Sequence, residues 1–169
     1  MRQPARTDRV SPLTLHLPDA AATEACGACI APLLAGGMIV TLQGDLGAGK
    51  TTLVRGLLRA AGVTGPIKSP TYDLVEHYPL SSIYFYHVDL YRFTDASEWE
   101  DAGLSECFRP DATVLVEWPS RAASILPVPD LALALGFDAT GRGRTLRVRA
   151  LGARGERCRD DLIAAWPAS

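Results

Sequence analysis

The chain has 169 residues and a formal net charge of −2, with 47% hydrophobic and 21% charged residues, the values of an ordinary globular domain. They exclude a disordered chain, a collagen-like repeat and a disulfide miniprotein, since a domain of this length buries roughly 70% of its unfolded surface without metal or disulfide staples. The mildly acidic balance also excludes nucleic-acid binding by bulk charge alone.

Charge is nonetheless uneven along the chain. Between Arg142 and Arg159 seven of the 17 basic residues stand against one acid, Glu156, whereas residues 94–108 hold five acids and no base. Both runs read as solvated faces, with a docking role as the alternative.

In chain order, residues 1–12 are polar and Pro/Arg-bearing, an expected flexible segment ahead of a single domain over 13–169. No stretch approaches the ~18 uninterrupted apolar residues of a membrane span, and the start lacks an apolar signal region, so a cytoplasmic protein with no membrane partner is expected. Residues 14–17 predict a short strand. Asp19 is a good N-cap for a helix from Ala20, stopped by Gly36-Gly37 and kinked or shortened by Pro32. Within it, Cys26 and Cys29 are spaced as a redox or zinc pair, but no second pair follows, and packing is the expected role.

The apolar run 38–42, bounded by glycines, predicts a buried strand, and residues 50–61 place Leu53, Val54, Leu57, Leu58 and Ala61 on one helical face ahead of Gly62. Further strands are expected at 73–78, 83–89, 113–118, 131–137 and 145–150, with a short acidic helix over 98–108. The polar turn at 79–82 favours an antiparallel hairpin. Strands interleaved with helices, then hairpins, predict an α/β fold: one domain with a central mixed β-sheet flanked by helices.

The strongest signal is GDLGAGKT over residues 44–51, which satisfies G-x-x-x-x-G-K-[ST] between a predicted strand and a predicted helix, the context a P-loop NTPase requires. Gly44, Asp45, Leu46, Gly47, Ala48 and Gly49 supply a backbone able to curl its N–H groups around phosphates at a helix start. Lys50 brings a point charge to the β- and γ-phosphates, and the Thr51 hydroxyl is a hard oxygen suited to Mg²⁺. Thr52 follows on the same helical turn.

Two more apolar strands end in acids, Asp89 and Glu117. Ligands of open α/β sheets sit beyond the carboxyl ends of the strands, so both acids are placed near Mg²⁺ or an attacking water; which of them touches the metal depends on strand order. The Ser69-Pro-Thr71 segment is a candidate switch loop, its threonine within possible reach of metal or γ-phosphate. Arg92 either neutralises transition-state charge or pairs with the acidic segment. Trp118 stacks or packs beside Glu117, and His87 reads as structural.

Taken in order, GDLGAGKTT at 44–52, SPTY at 69–72, HVDLYR at 87–92 and EWP at 117–119 resemble the TsaE (YjeE) family, bacterial ATPases of tRNA threonylcarbamoyladenosine synthesis. The likeness runs from Leu17 to the Gly141-Arg142 turn; Tyr72 stands where phenylalanine is frequent, and Ser120 where an acid or amide is usual. It implies ATP and Mg²⁺ as cofactors, with Lys50 and the 44–52 loop on the phosphates, Thr51 and Glu117 on the metal, and Asp89 orienting water. Ala20 and Gly141 would flank the nucleoside. The resemblance further implies weak hydrolysis alone and two actin-like-fold partners, of the TsaB and TsaD type, in the threonylcarbamoyl transferase machinery acting on adenosine 37 of tRNAs reading ANN codons, with tRNA reached through that complex.

The rival readings are a P-loop small-molecule kinase and a non-catalytic module gated by nucleotide. Residues 121–129 are short and proline-rich for a kinase lid, and a guanine-reading N-K-x-D motif does not occur.

Overall fold

The computed structural model describes residues 12–166, so the segment expected to be flexible lies outside the described residues except for Pro12. Strands β1 (Leu13–Leu17), β2 (Ile39–Gln43), β3 (Val75–Pro79), β4 (Tyr84–Asp89), β5 (Ala112–Glu117), β6 (Leu131–Phe137) and β7 (Arg144–Ala150) form one sheet in the order β1-β7-β6-β2-β5-β4-β3. Strands β4, β5, β2 and β6 run parallel; β1, β7 and β3 are antiparallel to their neighbours. Central β5, ATVLVE, is buried at every position, as a parallel strand covered on both faces must be.

Helices α1 (Ala20–Ile30), α2 (Lys50–Ala61) and α4 (Gly152–Ala165) cover one face, over a core that includes Leu17, Leu42, Leu57, Leu115, Leu133 and Val148. Phe93, Trp99, Leu104 and Cys107, from short α3 (Ser97–Asp101) and the turns beside it, cover β4 and β5 on the other.

The Asp19 carboxylate accepts from Ala22 N–H at 2.7 Å, capping α1 as expected. That helix ends at Ile30 and continues as one 3₁₀ turn, Ala31–Leu33, because Pro32 has no N–H to extend the ladder. The acidic helix expected over 98–108 is a correction: it divides at Gly103 into α3 and a 3₁₀ turn, Leu104–Cys107. Helix α4 was not anticipated, and it divides the basic run: Arg147 and Arg149 are exposed on β7, while Arg154 pairs with Asp130 and Arg159 with Asp160. Cys26 packs in the core, and burial pushes its thiol up to about 12. Among the described residues no helix is long and apolar enough to cross a membrane.

Helix α1 crosses α2 with backbone close against backbone at two glycines. A Cβ at Gly56 would lie 2.0 Å from the Glu24 carbonyl oxygen, and one at Gly27 2.1 Å from that of Leu53. Gly56→Ala is therefore expected to lower stability by about 3 kcal/mol or to prevent folding, despite alanine's higher helix propensity. Urea unfolding checks this; an unchanged midpoint would mean that the helices separate freely.

Candidate functional site

After Gln43 the chain turns out of the sheet and enters α2 through residues 44–49. Gly44 has φ +151°, and a Cβ there would meet the Leu135 carbonyl oxygen at 2.4 Å, so glycine lets the loop leave beside β6. Ala48 N–H donates to the Asp45 carbonyl at 3.0 Å and closes the turn. A cleft of about 230 Å³ opens there, lined on one side by Leu46, Gly47 and the residues from Gly49 to Thr52, and on the other by Ser69, Thr71, Asp89, Tyr91, Glu117 and Trp118. It lies beyond the carboxyl ends of β2, β5 and β4, and the positive end of the α2 dipole faces it.

Lys50 is 5% exposed; its Nζ donates to the carbonyls of Gly44 at 2.7 Å and Asp45 at 3.0 Å and sits 4.2 Å from the Trp118 ring centre. Desolvation holds its pKa below the usual lysine value, opposed by the charges of Glu117, Asp89 and Asp45.

Strand order settles the arrangement of the acids. Glu117 is paired in register with Leu42 of β2 on one side and Asp89 of β4 on the other, so Glu117 stands next to the loop-bearing strand and Asp89 one strand further out. Thr51 Oγ1 donates to Glu117 Oε1 at 3.1 Å. Asp89 Oδ2 accepts from Ser69 Oγ at 2.9 Å and Thr71 Oγ1 at 3.0 Å, while Oδ1 accepts from Tyr91 N–H at 2.9 Å. The candidate switch segment is thus tied to the outer acid. Both carboxylates are buried, and these donors offset the cost of desolvating them.

Gly44, Asp45 and Ala48 shape the loop without lining the cleft, and Asp45 is exposed. Ala20 and Gly141 are exposed and lie outside the cleft lining, at the first turn of α1 and in the turn joining β6 to β7. Arg92 lies over the Tyr72 ring at 4.4 Å, outside the cleft lining, and among the described residues it makes no ion pair with the acidic segment.

Sequence reasoning reads His87 as structural, places Trp118 beside Glu117 as stacking or packing, and assigns Arg144 no role at the site. His87, fully buried, has Nε2 2.9 Å from Glu117 Oε1, and its Nδ1 is the one buried side-chain N or O atom without a partner among the described residues. Its position two residues before Asp89 puts it on the same strand face, which was the signal available. Trp118 adopts a left-handed backbone, φ 59°, that turns its ring over Lys50 and against Tyr91. Arg144, the first residue of β7, donates to the carbonyls of Gly47 and Ala48 from behind the loop.

A phosphate-type loop between a central parallel strand and a helix, with two acids on the neighbouring strand ends, defines a P-loop NTPase fold. In agreement, the crystal structure of Bacillus subtilis YdiB superposes with a TM-score of 0.80 at 27% identity, covering 94% of this chain and 98% of that one. Residues 17–146 match the family model of threonylcarbamoyl adenosine biosynthesis protein TsaE, and the chain belongs to that family, which takes part in tRNA threonylcarbamoyladenosine biosynthesis. It is 45% identical over 100 residues to the Haemophilus influenzae protein named TsaE, 59% of this chain and 63% of that protein's length. With the Synechocystis protein of the same name it shares 44% identity over 113 residues, 64% of this chain and 71% of the relative.

Proposed function

We propose that the chain is a Mg²⁺-dependent ATPase that supports threonylcarbamoyl transfer to tRNA, slow by itself and accelerated by partners of the TsaB and TsaD type. The observation that carries this reading is the convergence of Lys50, Thr51, Asp89 and Glu117 on one cleft at the mouth of the glycine-rich loop. Loop amides and the start of α2 bind the triphosphate, and Lys50, already desolvated, exchanges its two carbonyl bonds for phosphate oxygens.

The Thr51 hydroxyl and Glu117 carboxylate, 3.1 Å apart, form a small hard-oxygen donor set that fits Mg²⁺, which takes one or two protein oxygens and completes its shell with phosphate and water. When bound there, Mg²⁺ would neutralise charge on the phosphates. Asp89 is held by three donors at an orientation facing the cleft and positions the attacking water; Ser69 and Thr71 couple that orientation to the loop they sit on.

Among the described residues Lys50 is the only cationic side chain lining the cleft, whereas fast phosphoryl transfer spreads charge that several cations must meet. Turnover by the isolated chain is therefore expected at roughly 10⁻² per second or below, rising when the partners are added. Steady-state ADP release, with and without partner proteins, measures this. A rate near 10 per second from the chain alone would overturn the partner-gated reading, and radiolabel from ATP appearing in a small organic phosphate would replace it with a kinase.

A further inference from the structure

The loop that holds phosphates must present its N–H groups inward, and Arg144 grips that loop from outside. Its Nε donates to the Ala48 carbonyl at 3.0 Å and one Nη to the Gly47 carbonyl at 3.1 Å; the other Nη donates to its own turn, to Gly143 at 2.9 Å and Arg142 at 3.2 Å. The guanidinium plane lies 4.2 Å over the ring of Phe137, its register partner on β6. One planar group thus joins the loop after β2 to the turn between β6 and β7, segments 96 residues apart in sequence.

In a trans peptide the carbonyl and the following N–H point in opposite directions. Drawing the Gly47 carbonyl toward Arg144 turns the Ala48 N–H the other way, where it closes the bond to Asp45. Drawing the Ala48 carbonyl toward Arg144 turns the Gly49 N–H away from it, toward the cleft that Gly49 lines. The fork geometry of a guanidinium serves two adjacent carbonyls at once, which a lysine ammonium on a flexible stem does not.

We propose that Arg144 is a positioning residue for phosphate binding, holding the 47–49 backbone so that the Ala48 amide closes the turn onto Asp45 and the Gly49 amide faces the cleft; this rests on the nucleotide-binding reading above. It touches no phosphate itself and acts through the loop carbonyls. It also ties the loop to the turn that contains Gly141.

The test is calorimetric titration of AMP, ADP and Mg-ATP into the wild type, Arg144→Gln and Arg144→Lys, with thermal unfolding of each nucleotide-free protein. Both variants are expected to bind ADP and Mg-ATP about tenfold more weakly, the loss of a charged hydrogen bond's worth of preorganisation, and AMP no more than about twofold more weakly. Arg144→Lys retains the charge and should unfold close to the wild-type temperature, so its weakened ADP binding separates positioning from folding. ADP affinity equal to wild type in the lysine variant overturns the inference while leaving the nucleotide reading intact. A uniform loss across AMP, ADP and ATP that tracks the melting temperature also overturns it, assigning Arg144 to strand stability. A wild-type chain that binds none of the three overturns the reading itself, and this inference with it.

Discussion

Glu117→Gln is expected to reduce partner-stimulated ATP turnover by about 100-fold or more while leaving the fold intact. The substitution conserves shape, and the amide oxygen still accepts from Thr51 at the position where Oε1 now lies. What is lost is the negative charge, and with it a metal ligand whose contribution of several kcal/mol to transition-state stabilisation corresponds to at least two orders of magnitude in rate. Glu117 accepts from Thr51 and faces His87 across 2.9 Å, so the alanine variant would strand two buried polar partners and confuse chemistry with stability; glutamine avoids this. Turnover at saturating ATP, titrated with Mg²⁺, measures the effect. Unchanged turnover with an unchanged Mg²⁺ requirement would remove Glu117 from the metal site.

Lys50→Ala is expected to weaken ATP and ADP binding by about 100-fold without destabilising the protein. In the structure Nζ donates to two loop carbonyls, contacts whose net value is small because burial penalises the ammonium. Against phosphates the same ammonium makes hydrogen bonds between opposite full charges, which are the stronger kind. The pH dependence has a definite sign. With its folded-state pKa below that of the unfolded chain, Lys50 binds fewer protons when folded, so wild-type stability relative to Lys50→Ala rises as pH climbs from the depressed folded-state pKa toward the ordinary lysine value near ~10.4. Titration calorimetry reads the affinity, and urea midpoints across that range read the stability. The two variants also separate a catalytic role from a gating one: if Glu117→Gln preserves partner function and Lys50→Ala abolishes it, nucleotide binding alone is what the partners sense.

Much of this site was legible because its signals are local. The residue pattern over 44–51 needs only eight positions in a row, and α2 begins at Lys50 and ends at Ala61 where its apolar face and Gly62 predicted. Strand β6 likewise coincides with the expected 131–137, its buried leucines alternating with small residues through Gly136. Helix α4 was missed for the converse reason. Leu151 does not cap it with a side chain, Gly152 and Gly155 weaken it, and only Gly155, Cys158 and Leu162 are buried, so its face is narrow; packing against β7 and α1 forms it.

Residue order alone was enough to show that a glycine-rich loop opens a helix after a buried strand, and that two further strands end in carboxylates. Strand order supplies the physical ground for Glu117, rather than Asp89, standing beside Thr51, which the resemblance had implied; that His87 meets Glu117, and that Arg144 reaches the loop from a strand at the far side of β6, came from long-range packing alone. The physical reason is range: helix and loop propensities act over a few residues, whereas strand order is fixed by which apolar faces bury together across the whole chain, and no local pattern encodes that outcome.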